Sequence, residues 1–290
     1  MEKILITGAT GLLGSSTIKY LLNKGVEAKN IYALVRDTKK AENLVEKGIN
    51  LKIGNYDDYP SLVEAFKEID KLFFVSGSEI PKRVAQHENI VKAAKEAKVK
   101  HIIYTSFQRK NETETSPIVT VAEAHLKTED LLKNSGINYT IMKNNLYMDI
   151  IPMFIGNVLE TGTIYQPAAD GKVAFVLRDD IAEVAANILT TTGHKNKEYD
   201  ITANEAYSYN DIAVMISEIT GKTINYISPS VEEYRKTLTD AGVPNEIIGM
   251  TIGFSLAQAQ TELDQTANIF ENLLGRKPVS LQEYLKKVYK

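Results

Sequence analysis

Thr7-Gly8-Ala9-Thr10-Gly11-Leu12-Leu13-Gly14 is the stretch on which the reading of this chain turns. It follows a short apolar run, Ile4-Leu5-Ile6, and opens a helical pattern over 12–23 with Leu12, Leu13, Ile18, Leu21 and Leu22 on one side. Strand, glycine turn and helix in that order give each glycine its own task. Gly8 permits the tight turn, Gly11 lets the backbone approach a pyrophosphate, and Gly14 allows close packing of helix on strand. The helix N-terminus then offers unpaired N–H groups and the positive end of its dipole to phosphates. A glycine turn without a ligand is the plain alternative. The placement inside a strand–helix–strand unit favours the nucleotide. We therefore expect Gly8, Thr10, Gly11, Leu12, Leu13 and Gly14 to bind a dinucleotide.

Outward from the loop, short apolar or β-branched runs alternate with longer helical patterns. Strands are expected near 3–7, 31–35, 50–53, 72–75, 101–105 and 139–142, and helices over 12–23, 83–98 and 121–134. Near-continuous apolar strands such as Leu72-Phe73-Phe74-Val75 suit a parallel sheet covered on both faces. The alternation predicts an α/β fold, a doubly wound parallel sheet of Rossmann type. After about residue 145 the rhythm breaks at Pro152, Gly156, Gly162, Pro167 and Gly171. A strand at 173–177, a helix at 180–189 and a strand at 199–201 are expected to return to the main sheet. Helices over 210–220, 231–241, 245–258 and 281–289 predict a smaller, mostly helical lobe. The division is thus 1–150, with 173–202 returning to it, and 151–290 for the second lobe. Phe154, Phe254 and Phe270 fall in that lobe and would suit a flat apolar substrate, or simply a core.

The end of the second strand, Ala33-Leu34-Val35-Arg36-Asp37, bears on which dinucleotide binds. An acidic residue about 20 positions after the loop would hold the ribose hydroxyls of NAD(H). Here Arg36 takes the end-of-strand position, and a guanidinium can grip a 2′-phosphate in a fork. Lys39 and Lys40 add charge, whereas Asp37 competes for the ribose. The expectation is NADP(H), with NAD(H) as the less favoured cofactor.

Composition narrows the classes further. The chain has 290 residues, 34 Lys+Arg, 37 Asp+Glu and a formal charge of −3, so nothing points to a nucleic-acid or anionic-membrane surface. It has no Cys, which removes disulfides, thiol chemistry and Cys-based metal sites. His87, His101, His125 and His194 lack metal-type spacing, and no metal is expected. The start of the chain does not read as a targeting segment and no apolar run is long enough to span a bilayer. A cytoplasmic location is expected.

Several further segments stand in a characteristic order. They include Gly54-Asn55-Tyr56-Asp57-Asp58, Ser76-Gly77-Ser78-Glu79, Gln86-His87-Glu88-Asn89, and His101-Ile102-Ile103-Tyr104-Thr105-Ser106. Ala124-His125 with Thr128-Glu129, Asn144 with Tyr147, Arg178-Asp179-Asp180-Ile181-Ala182 and Leu274-Gly275-Arg276-Lys277-Pro278 follow. With the glycine loop, this set resembles the NmrA-like branch of the atypical short-chain dehydrogenases/reductases. The likeness is strongest to NAD(P)H:quinone oxidoreductases, with triphenylmethane-type reductases close by. The resemblance implies an adenine contact at Asp57, and pyrophosphate and ribose contacts at Ser76, Gly77 and Ser78. It puts Thr105 in the same crevice, and Lys143, Asn144, Asn145 and Tyr147 beside nicotinamide and substrate. It also implies a departure. The wider superfamily uses Tyr-x-x-x-Lys as its acid, and here Val121 and His125 take those two positions.

A missing phenolic acid disfavours carbonyl or alcohol chemistry, and sugar-nucleotide epimerisation with it. Quinone reduction fits, because a quinone is electron-poor and its reduced anion is modestly stable; hydride transfer then needs mainly proximity and orientation. His125, Tyr147 or water would deliver the proton, so His125 and Tyr147 are the catalytic candidates. His87 lies near the crevice. A second reading is a redox sensor that binds NADP(H) without turnover. The partners expected are a quinone-type small molecule, no nucleic acid, no membrane, and a homodimer only as an arrangement the sequence leaves open.

Overall fold

The computed structural model describes residues 2–290. Its strands are β1 Ile4–Ile6, β2 Ile31–Val35, β3 Asn50–Ile53, β4 Lys71–Phe74, β5 His101–Phe107, β6 Asn138–Asn144, β7 Thr163–Tyr165, β8 Lys197–Ile201 and β9 Asn225–Ile227. Seven of them form one parallel sheet in the order β3-β2-β1-β4-β5-β6-β8. This is the doubly wound Rossmann-type sheet expected from the alternation.

Successive side chains of a strand point to opposite faces, so a strand buried on both sides must be apolar throughout. Ile4 and Ile6 enter one core layer with Leu13, Ile18 and Leu21 of helix Leu12–Asn23 and Ile181, Val184 and Ile188 of helix Arg178–Thr190. Leu5 enters the opposite layer with Leu62 and Phe66 of helix Tyr59–Phe66, Ile90 and Val91 of helix Arg83–Glu96, and Leu132 of helix Val119–Asn134. Each fully buried Leu, Ile or Phe in these two layers contributes roughly 1.5–3 kcal/mol.

Three features differ from expectation. Residues 173–177 do not form a strand. Val176 bridges Tyr147 and Val173 bridges Tyr207, both as isolated contacts, so this segment ties the sheet to the second lobe and β8 alone rejoins the sheet. β6 runs on through Lys143 and Asn144, which therefore lie on the strand and not after it. Phe270 is not in the second lobe's core. Helix Ile269–Leu274 folds back, and Phe270 is buried beside helix Arg178–Thr190.

The second lobe contains helices Tyr209–Thr220, Val231–Asp240, Asn245–Ala259 and Leu281–Tyr289, and the parallel pair β7-β9, which periodicity did not reveal in so short a run. Capping boxes at Ser208, Ser230 and Ser280 start three of these four helices by satisfying their first N–H groups. Its tail is pinned to the sheet unit. The buried Asp180 carboxylate accepts from Arg276 Nη2 at 2.6 Å and from the Val279 N–H at 2.7 Å.

Candidate functional site

The strand order reverses between β1 and β4, and ligands of open α/β sheets bind at that point, outside the carboxyl ends of the strands. A cleft lies there. It consists of a cavity of ≈ 210 Å³ beside β2 and a wider chamber of ≈ 540 Å³ beside β5 and β6, which share Gly8, Val75, Ser76, Gly77 and Ser78.

The glycine loop forms the seam. Gly8 has φ +58°, a left-handed conformation that L side chains rarely adopt, and its carbonyl accepts the Gly11 N–H at 2.9 Å to close the turn. A Cβ on Gly14 would stand 2.3 Å from that carbonyl. The close approach is thus between helix and turn, rather than between helix and strand as expected. Helix Leu12–Asn23 starts at Gly11 with no side-chain cap and no acid in its first turn. Its dipole and first N–H groups are free for an anion.

The loop after β4 is held by side chains from three elements. Thr7 Oγ1 accepts the Val75 N–H at 2.9 Å, Thr105 Oγ1 accepts the Ser76 N–H at 2.9 Å, and His87 Nε2 accepts the Gly77 N–H at 3.1 Å. His87 is wholly buried and orients the loop; its Nδ1–H donates to Thr128 Oγ1 at 2.7 Å. Burial, with the Arg83 charge nearby, pushes its pKa down to about 3. The Ser76 hydroxyl is buried without a partner, and so is the Asn144 Oδ1. An uncapped helix, a glycine cradle and two orphaned polar atoms fit a dinucleotide.

At the narrow end, Arg36 lines the cavity with its side chain 76% exposed and its guanidinium 4.0 Å from Glu79 Oε1. Asp37 caps the turn Thr38–Ala41, its carboxylate accepting the Lys39 N–H at 2.9 Å. Asp57 is exposed beside the cavity and not among its lining residues; both its oxygens accept from Gln86 Nε2 at 3.2 Å, while Gln86 and Tyr56 line the wall.

At the wide end, Thr105, Asn144, Asn145 and Tyr147 line the chamber with Leu12, Leu13 and Gly14. Asn145 is fully engaged in bracing. Its Nδ2 donates to Gln108 Oε1 at 3.0 Å and Leu263 O at 2.9 Å, and its Oδ1 accepts the Leu146 N–H. Lys143 does not reach the chamber. Strand alternation turns it to the other face, where its ammonium meets Glu198 of β8 at 2.9 Å. The Tyr147 hydroxyl accepts from Asn144 Nδ2 at 3.3 Å, its ring lies under the Arg178 guanidinium at 4.7 Å, and burial raises its pKa.

His125 also lines the chamber, together with Val121 one turn earlier on the same helix. Its Nδ1 is 2.8 Å from the Tyr104 hydroxyl and its Nε2 is 3.5 Å from Arg83 Nη1. A guanidinium has only donors, so Nε2 accepts and the imidazole proton sits on Nδ1, aimed at Tyr104 and away from the chamber. Burial first, then the Arg83 charge, hold its pKa well below the usual histidine range. His125 is therefore neutral near pH 7 and is no imidazolium acid.

The sequence reading missed Arg83, whose guanidinium is buried at the chamber wall. It also left Phe254 unassigned. That ring, from helix Asn245–Ala259, meets Phe107 edge-on at 6.1 Å and makes an aromatic wall opposite the sheet. Phe154 stands behind it at 6.2 Å. Among the described residues no cluster suits a metal ion, and no helix is long and apolar enough to cross a membrane.

The NmrA-like family model matches residues 1–285. Quinone oxidoreductase 2 of Escherichia coli is 33% identical over 280 residues, covering 97% of this chain and 96% of that protein. The crystal structure of the E. coli NADPH-dependent quinone oxidoreductase QOR2 complexed with NADPH superposes with a TM-score of 0.93 at 32% identity, over 99% of this chain and 100% of that one. The Citrobacter triphenylmethane reductase complexed with NADP(H) gives a TM-score of 0.90 at 36% identity, over 98% and 99% of the two chains.

Proposed function

The chain belongs to the NmrA-like family, and from that premise we propose that it is an NADPH-dependent oxidoreductase that reduces quinones, or similar flat electron-poor aromatics, by direct hydride transfer. The observation that carries the reading is one continuous cleft, from Arg36 at one end to the Phe107–Phe254 wall at the other, with an uncapped helix N-terminus between them.

NADPH supplies the hydride when bound. The chain's own groups bind and orient. Arg36 grips the 2′-phosphate, the first turn of helix Leu12–Asn23 takes the pyrophosphate, and the orphaned hydroxyl of Ser76 and amide oxygen of Asn144 take the ribose and carboxamide side. The aromatic wall stacks a flat ring over the reacting carbon and keeps bulk water off one face. Val121 and His125 leave helix Val119–Asn134 without a phenolic or imidazolium acid, and the phenol of Tyr147, its pKa raised by burial, is the acid that lines the chamber beside water, which suits an acceptor whose reduced anion is stable enough to take its proton late. The relatives described above, named for quinone and dye reduction, support turnover over a non-catalytic sensor.

The test is loss of nicotinamide absorbance when purified protein meets NADPH and a benzoquinone or naphthoquinone. No oxidation with any quinone, in a protein that binds NADPH, would sink the reading. The reading also includes a cytoplasmic location and a helical lobe, residues 151–290 apart from 173–202, that closes over the acceptor. A homodimer is the oligomeric state to examine first, by light scattering.

A further inference from the structure

Three arginines line the cleft, and two have acidic partners: Arg36 with Glu79, and Arg178 with Asp149. Arg83 has none among the described residues. It is 8% exposed, its Nε is buried and unpaired, and its one hydrogen bond is the 3.5 Å contact from Nη1 to His125 Nε2. An uncompensated buried cation costs several kcal/mol, so a fold that keeps one facing a cavity has an anion to receive there.

Two anions visit this cleft if the proposed reduction is right, the cofactor's phosphates and the reduced acceptor. Arg83 does not border the cavity that holds Arg36; it shares the chamber with Leu12, Leu13 and Gly14, but the pyrophosphate is already served by the free N–H groups of that helix N-terminus. Arg83 borders only the chamber, against His125 and on the side of Val121, Phe107 and Phe254, where the acceptor ring lies. We propose that Arg83 is the oxyanion-binding catalytic residue, donating hydrogen bonds to the acceptor oxygen on which negative charge develops.

The inference rests on the reduction proposed above. In that step the quinone takes a hydride, which is two electrons and one proton, and the cofactor departs oxidised as NADP+. The acceptor is left as a hydroquinone monoanion with its charge on oxygen, and a water molecule later supplies the second proton. Arg83 keeps all its protons throughout. His125, neutral and accepting through Nε2, aims the guanidinium without cancelling its charge, as a carboxylate there would. Tyr104 holds His125 from behind.

A phenol whose ionisation is visible by absorbance, 4-nitrophenol, tests this without turnover. It is titrated with pH on the NADP+-loaded protein, for the wild type, Arg83→Gln and Arg83→Lys. A facing guanidinium lowers the pH at which the bound phenol ionises by about one unit or more. Arg83→Gln abolishes that shift, Arg83→Lys keeps part of it, and both leave NADPH affinity within about twofold. In turnover, Arg83→Gln lowers kcat about 100-fold, the usual cost of one oxyanion donor. A shift that survives in Arg83→Gln overturns the inference. So does a tenfold loss of NADPH affinity in that variant, which would assign Arg83 to the cofactor. If Arg83→Gln fails to fold, the wild type alone decides, because a bound phenol ionising at or above its free value overturns the inference. A wild type that shifts the phenol yet reduces no quinone supports Arg83 as the chamber's anion site and rejects the reduction reading alone.

Discussion

Replacing Arg36 with Ala should weaken NADPH far more than NADH. A charge-assisted guanidinium–phosphate contact is worth about 1.5–3 kcal/mol. The side chain is 76% exposed and already shares its charge with Glu79 at 4.0 Å, so solvent screening puts this contact at the low end of that range. About 1.5–2 kcal/mol corresponds to roughly 10–30-fold in Kd for NADPH, since each 1.4 kcal/mol is tenfold. NADH lacks the 2′-phosphate and should change by about twofold or less. The same geometry predicts that Glu79→Gln tightens NADPH modestly, because the guanidinium is released from its competitor. Both effects should shrink as salt rises, since charges this exposed are screened beyond about 8 Å at physiological ionic strength. Nicotinamide fluorescence titrations with the two cofactors, at low and high salt, measure all of this. Equal losses for NADPH and NADH in Arg36→Ala would mean that the side chain only stacks on adenine, and the cofactor assignment would fall.

Three further outcomes follow from the geometry. His87 and His101 are held near pKa 3 and 4 by burial, so the unfolded chain binds protons that the folded one refuses. Stability is complete above about pH 6.5 and falls as pH drops from there toward 3, by up to about 1.4 kcal/mol per unit for each histidine. His87→Gln should flatten that decline in urea titrations, and an unchanged slope would contradict it. Asp180→Ala strips Arg276 of its buried partner and leaves the Val279 N–H unpaired. It should cost about 2–3 kcal/mol with the urea m-value unchanged, and a loss under about 0.5 kcal/mol would show that the tail is held elsewhere. Phe254→Ala removes the aromatic wall, and should raise KM for a naphthoquinone several-fold, near tenfold at most, while NADPH affinity holds. A parallel loss of NADPH would place the ring against the cofactor.

The parts of this fold that sequence revealed are those set by local rules. The loop at 7–14 is legible because glycine is the residue that most readily takes the left-handed turn at position 8 and the one that fits the contact at position 14. The two-faced apolar strands are legible because parallel sheets bury both faces. What stayed hidden depends on contacts distant in sequence. Asp57 reads as a ligand contact from its own segment, and only the fold brings Gln86 of helix Arg83–Glu96 against its carboxylate. Lys143 reads as a pocket residue until β6 is known to continue past 142, which turns the side chain toward Glu198. Val173–Leu177 looks like a strand because apolar, β-branched composition is shared by strands and by extended ties between lobes. Arg83 carries no local signal. A surface arginine and a buried one look alike in sequence, and only the lack of a carboxylate around this one sets it apart.

The lost acid and the unpaired cation are connected. At the positions where the wider superfamily's tyrosine and lysine would stand, this chain has an apolar Val121 and a His125 that burial keeps neutral, so neither can give a proton at pH 7. Where their helix offers no acid at those positions, the wall beside it has to tolerate the charge that develops on the product. Arg83 supplies that tolerance, and it does so because no carboxylate among the described residues lies within ion-pair distance to neutralise it. Introducing one should therefore damage the chamber without touching the cofactor cradle. Val121→Asp puts a carboxylate on the same helix face as His125, one turn away. It should reverse the phenol shift described for the wild type, with NADPH affinity changed by about twofold or less. If the shift persists beside the new carboxylate, the chamber's preference for anions comes from something other than the Arg83 charge.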